Sequence, residues 1–521
     1  MMVRRLPPAA GPGCFNAKRS LEILGLSGIP DGRRLADFRS SFRLGGGKAN
    51  GSFQRQPAEE WREECTQRPA GRRVQPQEDL THEPGTRAYE KHRIGPMNVQ
   101  PSSHSVATGT RTVPTDVLEP SGSVQFVVAD SFEAAGLDAA EWNRAVERLG
   151  GPVYMTWHWL RIWWQFYGQR DSLRIFVFRE RENIVGLLPF YVSQLGFGPL
   201  SVQVARLVGA NIPPKVFDPP LASGHGRSCL ARAVTTLIQR DGCDLVSVGP
   251  VSTAWADTHQ PETDLSGPPP GWVAQRQRAG VYTTFDLPGS LEAYLDTLGK
   301  NEQKNRRKYE LRLLRKDYPV RVETLREPYA AVQAAFERFV EQHTRQWQAE
   351  GQPGHFGAWP RALEYHRALL PAMVAEGRAR LMEIWAGETM VASRYAFAHG
   401  NRWFSELPSR AIGSQWNRYS LGPTSLVVMF GEAIKEGVRR IEGGLGHYDY
   451  KLRLGAREHP VCNLWFRCSG GVGLRVRLGC LLGLQEALRW TLHKLWYRRI
   501  QPRLPPRWRR PQSKLWLRHD F

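Results

Sequence analysis

Residues 380–451 read RLMEIWAGETMVASRYAFAHGNRWFSELPSRAIGSQWNRYSLGPTSLVVMFGEAIKEGVRRIEGGLGHYDYK, and this stretch decides the fold. Residues 380–385, 390–399 and 402–407 are three short apolar runs. The Ala-Gly-Glu and Gly-Asn turns between them suit tight hairpins, so the three runs form a β-meander. A helix follows over 423–436, with Leu426, Phe430, Ile434 and Val438 on one face and Gly437 placed to end it. Residues 439–443 are the next strand. A meander, a covering helix and a further strand make an α/β unit.

Working outward, residues 281–287 form a strand, and Ser290 caps a helix that presents Leu291, Tyr294, Leu295 and Leu298 together. Residues 300–316 continue as a helix dense in Lys and Arg, and further helices cover 330–350 and 362–376. Upstream, 138–149 and 157–167 (WHWLRIWWQFY) are helices, 173–178 and 184–192 are strands around a polar turn, 229–239 is a helix and 245–248 a strand. The Pro- and Gly-rich THQPETDLSGPPPG at 258–271 reads as a linker. The expected organisation is an N-terminal extension over 1–120, an α/β domain at 124–257, a linker at 258–280, a second α/β domain at 281–470 and a basic tail at 471–521.

The first 120 residues are rich in Gly, Pro, Ser, Gln and Arg and lack a sustained period, which is the composition of disorder. Met97 is an alternative start that would make 1–96 an annotation artefact. The seven cysteines are scattered and without a C-x-x-C pair, so neither a disulfide framework nor a zinc site is expected. With no apolar leader core and no run of 18 apolar residues, the expected location is the cytoplasm. Residues 471–521 hold twelve Lys and Arg against two acids, and 1–120 hold eighteen against thirteen, so the two ends carry most of the +21 net charge. Charge gathered at the ends speaks of surfaces rather than chemistry, and nucleic acid is not the expected partner. G-x-S-x-G, H-E-x-x-H and P-loop motifs do not occur.

At the head of the 423–436 helix stand Tyr419, Ser420, Leu421, Gly422, Pro423, Thr424 and Ser425. Gly422 lets a ligand approach the backbone, and Pro423 suits a first helical position. The amides of Thr424, Ser425 and Leu426 would then face an anion. A Gly-Pro start alone is more often only a start signal. The order meander, S-L-G-P-T-S, helix, E-G-G-L-G and Y-D-Y-K-L-R-L-G resembles the CelD-like acyltransferases of the GNAT superfamily. M-T-W-H-W-L-R-I-W-W-Q-F-Y-G and G-L-L-P-F-Y extend the likeness upstream, over 124–471, and the FemAB transferases share the doubled architecture.

The resemblance implies a tandem pair of GNAT-like α/β domains and acyl transfer from acetyl-CoA or another acyl-CoA to an amine or hydroxyl. That chemistry would serve extracellular polysaccharide or envelope biosynthesis. By position, Ser420, Gly422, Pro423, Thr424 and Ser425 match the phosphate-binding turn, and Tyr450 and Lys451 match the Tyr-Lys pair. The loop before that pair departs from the commoner form, so His447, Asp449 and Glu406 stay open as bases, with Tyr448 or Tyr450 as acid to the leaving thiolate. Lys451 and Tyr450 rank first, Glu406 and Asp449 behind them, and no metal is expected. Two other readings stay open: a FemAB-like transferase using aminoacyl-tRNA, and a non-catalytic binding protein of the same fold. In the tail, Leu474, Leu478, Leu481, Leu488, Leu492 and Leu495 share a helix face ringed by Arg and Lys. That face suits either an anionic membrane surface, with Trp490, Trp496 and Trp508 as anchors, or a docking site on the protein itself.

Overall fold

The computed structural model describes residues 124–500, except 169–170, 197, 211, 214, 262–270 and 309, together with 503–504. The 1–120 extension, the middle of the 258–280 linker and the tail beyond 504, including Trp508, lie outside the described residues. The chain begins with β1 (Gln125–Ala129), α1 (Ala139–Arg148) and α2 (Trp157–Tyr167). It continues through β2 (Ser172–Glu180), β3 (Asn183–Leu195), β4 (Val202–Leu207), α3 (Gly226–Gln239), β5 (Leu245–Ser252), α4 (Thr253–His259) and β6 (Trp272–Asp286). The helices α5 (Leu291–Asp296), α6 (Lys300–Lys308) and α7 (Glu310–Asp317) connect this set to a second.

The second set repeats the order of the first. It runs β7 (Val320–Leu325), α8 (Tyr329–Ala349), α9 (Gly354–Ala358), α10 (Ala362–Ala375), β8 (Ala379–Ala386), β9 (Thr389–His399) and β10 (Arg402–Arg410). Next come α11 (Leu421–Lys435), β11 (Arg440–Leu445), α12 (Asp449–Arg453) and β12 (Arg457–Cys468), and then the tail helix α13 (Val472–Trp490). Two strong caps follow from sequence: Asp138 accepts from the Glu141 amide at 2.7 Å, and Ser290 accepts from the Ala293 amide at 3.1 Å.

The twelve strands of the described residues form one sheet, in the order β1-β2-β3-β4-β5-β12-β6-β11-β10-β9-β8-β7. In each repeat the fourth and fifth strands are parallel, β4 with β5 and β10 with β11, and the other pairings are antiparallel. The sixth strands are exchanged. β12 completes the sheet of the first repeat beside β5, β6 completes that of the second beside β11, and the two pair with each other through the middle. This is the α/β tandem expected from the meander and its upstream echo.

The halves also share apolar packing. Trp159 meets Phe397 edge-on with centroids 5.1 Å apart, and Tyr154 meets Phe404 at 5.4 Å. These rings belong to one buried cluster that includes Phe336 and Leu369 of the second repeat. At about 1.5–3 kcal/mol for each fully buried large apolar side chain, this seam is a principal term in stability.

Several readings change. The 258–280 boundary cuts into ordered elements, because Thr258 and His259 close α4 and Trp272 opens β6, nine residues before the strand expected at 281. Tyr450 and Lys451 lie on the short helix α12, for which no element is expected from sequence. Gly444 (φ +83°) and Gly446 (φ +101°) turn the chain out of β11 just before them. In the tail, Leu474, Leu478 and Leu481 are buried against Leu195, Val202, Val204, Leu245 and Trp465, so their face is docked on the sheet. Among the described residues no helix is long and apolar enough to cross a membrane.

Candidate active site

Parallel strands β10 and β11 stay paired for three steps, Arg402 with Arg440, Trp403 with Ile441 and Phe404 with Glu442. Each then carries a bulge against its other neighbour, between Ser405 and Leu407 in β10 and between Glu442 and Gly444 in β11. Bulges bend strands and re-aim side chains, so the sheet opens at Glu406 and Gly443. A cavity of about 650 Å³ fills the opening. Its wall includes Glu406, Gly422, Pro423, Glu442, Tyr450 and Lys451, and Tyr154, Lys215 and Asp218 join from the first repeat.

One end of the cavity is the start of α11. Ser420, at the N-cap, holds a left-handed φ of 46°, a strained conformation for a residue with a Cβ, and makes no side-chain cap. The helix therefore begins at Leu421, two residues before the expected Pro423. The Thr424 amide is already bonded to the Ser420 carbonyl at 3.0 Å, so the amides left for an anion are those of Leu421 and Gly422. The Thr424 and Ser425 side chains are buried and turn inward, Thr424 to the Tyr419 carbonyl at 2.9 Å and Ser425 to the Gly422 carbonyl at 2.9 Å. Gly422 is the open position: nothing lies within 4 Å of a Cβ built there. Buried Arg394 of β9 reaches Ser425 Oγ at 3.0 Å and the Gly422 carbonyl at 2.9 Å, adding positive charge beneath the helix start. Burial lowers the Arg394 pKa to about 10, where it is still a cation at neutral pH.

A sheet split between parallel fourth and fifth strands, with a helix N-terminus aimed into the split, offers an anion backbone amides and the positive end of a helix dipole. Residues 301–452 match the family model of the acetyltransferase (GNAT) domain. The first repeat has the same strand order, so the fold is a tandem of GNAT-like units. No curated protein matches the chain. Among solved structures, FemX is similar with a TM-score of 0.44 at 8% identity, over 63% of this chain and 96% of that one. L-PGS from Bacillus licheniformis gives 0.39 at 12%, over 66% and 97%. A tandem GNAT protein from the clavulanic acid biosynthesis pathway gives 0.32 at 12%, over 67% and 99%.

Near the end of the matched stretch, Lys451 is buried, donates to the Gly443 carbonyl at 2.7 Å and lies 3.3 Å from Thr283 Oγ1. A Cβ at Gly443 would sit 2.8 Å from Thr283 Oγ1 and 2.9 Å from the Phe285 ring, so any larger residue forces its neighbours to shift. Burial, reinforced by the Arg394 charge, lowers the Lys451 pKa to about 8. Glu406 pairs with Lys215 at 2.6 Å, its side chain fully buried. Lys215 also lies over the face of Tyr154, 5.2 Å from the ring centre. Burial raises the pKa of Glu442, opposed by Arg402 at 3.5 Å, and it raises that of Asp218, opposed by two hydrogen bonds from Ser252.

The structure thus brings Glu406, Gly422, Pro423, Tyr450 and Lys451 to one cavity, with both members of the Tyr-Lys pair on its wall. A helical turn permits what strand alternation would forbid. Ser420, Thr424 and Ser425 do not line the cavity, and Asp449 is exposed beside His447 at 3.2 Å, on the outer surface. Sequence reading missed Lys215, Arg394, Glu442 and Asp218. Arg394 had a signal, a lone charge inside the apolar run MVASRYAFAH. Lys215 and Asp218 had none, because only the pairing of the two repeats carries them there.

A Cβ on Gly226, the first residue of α3, would meet His259 Nδ1 at 1.9 Å, so the α4 histidine covers that N-terminus.

Proposed function

We propose that this protein is an acyl-CoA-dependent acyltransferase acting on an amine or hydroxyl, with the donor at α11 and the acceptor between the repeats. The observation that carries this reading is the single cavity that joins the Gly422 turn to Lys451 and Glu406. The pyrophosphate of the donor meets the Leu421 and Gly422 amides and the helix dipole, with Arg394 behind them. The thioester then reaches the split between β10 and β11.

Lys451 is the proton carrier. As a neutral amine it spends its two N–H groups on the Gly443 carbonyl and Thr283, and its lone pair faces the cavity. The acceptor attacks the thioester carbonyl carbon, and its proton passes to Lys451. When the C–S bond breaks, Lys451 returns that proton to the leaving thiolate, so the lysine emerges neutral. Burial raises the Tyr450 pKa, so its hydroxyl keeps its proton and can donate to the same sulfur. Glu406, held by Lys215, orients the acceptor.

A role in polysaccharide or envelope biosynthesis is the biological setting that the CelD-like resemblance gives this chemistry. Contact with an anionic membrane fits the outer side of α13, where Val472, Val476, Leu484 and Trp490 are exposed. Aminoacyl-tRNA is the second donor reading, because the basic α6 sits beside α12 through Glu302, which pairs with Arg306 at 3.0 Å and with Arg453 at 3.6 Å.

Titration calorimetry with acetyl-CoA, longer acyl-CoAs and aminoacyl-tRNA separates the readings. Saturable heat with a thioester, followed by thiol release in the presence of acceptor amines, supports CoA-dependent transfer. Salt-dependent binding of tRNA alone would replace it. Donor binding without turnover across an acceptor panel would point to a non-catalytic protein.

A further inference from the structure

Beside Lys451 lies a second cluster, of which the proposed acyl transfer uses only Glu406. His355 on α9, His366 on α10 and Glu406 on β10 each offer one ligand atom, and these atoms lie within 4.8 Å of one another. The two imidazole Nε2 atoms are 3.1 Å apart. Around them, polar atoms are buried without a hydrogen-bond partner among the described residues: Glu406 Oε2, His366 Nδ1, and the Tyr365 and Tyr395 hydroxyls. Glu406 is 8% exposed and the other three are more deeply buried. Leaving one buried polar atom unpaired is costly, and several gathered in one place mark a polar occupant. His355 and Glu406 also line the cavity, so an occupant would have open positions toward a substrate.

We infer that His355, His366 and Glu406 form a binding site for a divalent first-row transition metal of the Zn²⁺ or Co²⁺ type. Two imidazoles and a carboxylate, without thiolates, suit these borderline ions, and three protein ligands with an open position describe a reactive rather than a structural site. A metal ligand must present a bare lone pair. Lys215 occupies only Oε1 of Glu406, leaving Oε2 for the ion. The ammonium and the ion repel each other, so Lys215 sets the affinity. In the cavity the ion would bind an oxygen or nitrogen of the acceptor, not the donor.

The test uses the full-length protein, stripped with a chelator and titrated with Co²⁺ alone, with visible absorption of the bound ion and metal content after gel filtration as readouts. One equivalent of Co²⁺ with tetrahedral d–d bands, displaced by Zn²⁺, is expected. His366→Phe preserves the aromatic packing with Phe336 and Tyr395, and His355→Gln changes the other ligand. Each should lower retained metal at least tenfold without changing the melting of the metal-free protein. Lys215→Met should tighten binding. Glu406→Gln is avoided because it strands Lys215. Less than a tenth of an equivalent retained by the parent, or equal retention by the parent and both histidine variants, would overturn the site and leave a hydrogen-bonded histidine pair. Acetyl-CoA binding is measured in parallel, so the loss of one ligand is distinguished from the loss of the other.

Discussion

At the scale of single residues, Lys451 ties chemistry to stability. In the folded protein it releases its proton near pH 8, while in the unfolded chain it holds it to about 10.5. Between those values the unfolded chain binds more protons, so stability rises with pH; below 8 the full cost of a buried ammonium is present. Lys451→Met removes that cost. The variant should melt above the parent at pH 7, with the difference shrinking as pH rises from 8 toward 10. A difference that grows in that range would contradict the assignment. The same variant should lose about one to two orders of magnitude in kcat/KM, at about 1.4 kcal/mol per tenfold, with acyl-CoA affinity nearly unchanged. Parent activity should rise through about pH 8 as the amine becomes neutral. Lys451, Tyr450 and Gly422 could be read from sequence because short motifs carry them. Lys215 could not, since its partner Glu406 lies 191 residues further along the chain.

Among the elements, strongly periodic ones were readable and those set by their partners were not. The meander, α11 and the capped α5 follow from turn residues and the spacing of apolar side chains. Pro423 reads as a first helical residue, yet it is the third, because Ser420 takes a left-handed turn that its sequence does not announce. β12 (REHPVCNLWFRC) mixes charges and a proline and lacks a clean alternation. Its conformation comes from pairing on both sides, with β5 and β6. The tail showed its amphipathic face but not what that face covers. Leu478 is 5% exposed and Val476 is 54% exposed, so the two sides of α13 should respond differently. Leu478→Ala should cost about 2–5 kcal/mol and Val476→Ser within about 0.5 kcal/mol in urea unfolding. Equal small losses would mean the helix is not docked.

For the whole molecule, the exchange of β6 and β12 makes the two repeats interdependent. A chain ending at residue 456 removes β12 from between β5 and β6 and exposes two ladders at once. It should fail to unfold cooperatively and should expose apolar surface to a dye. A soluble, cooperatively melting product of that length would show that each repeat is complete in itself. The same interdependence builds the cavity, since the second repeat supplies the start of α11 and Lys451 while the first repeat supplies Lys215 and Tyr154. Acetyl-CoA calorimetry on the parent and on Gly422→Asp tests the donor site most directly. A Cβ at Gly422 has open space, so the fold should survive, while the carboxylate meets the incoming pyrophosphate. Saturable binding by the parent and none by a variant of unchanged melting temperature is the expected result; equal binding by both, or no heat from the parent with any acyl-CoA, would contradict a donor site at the start of α11.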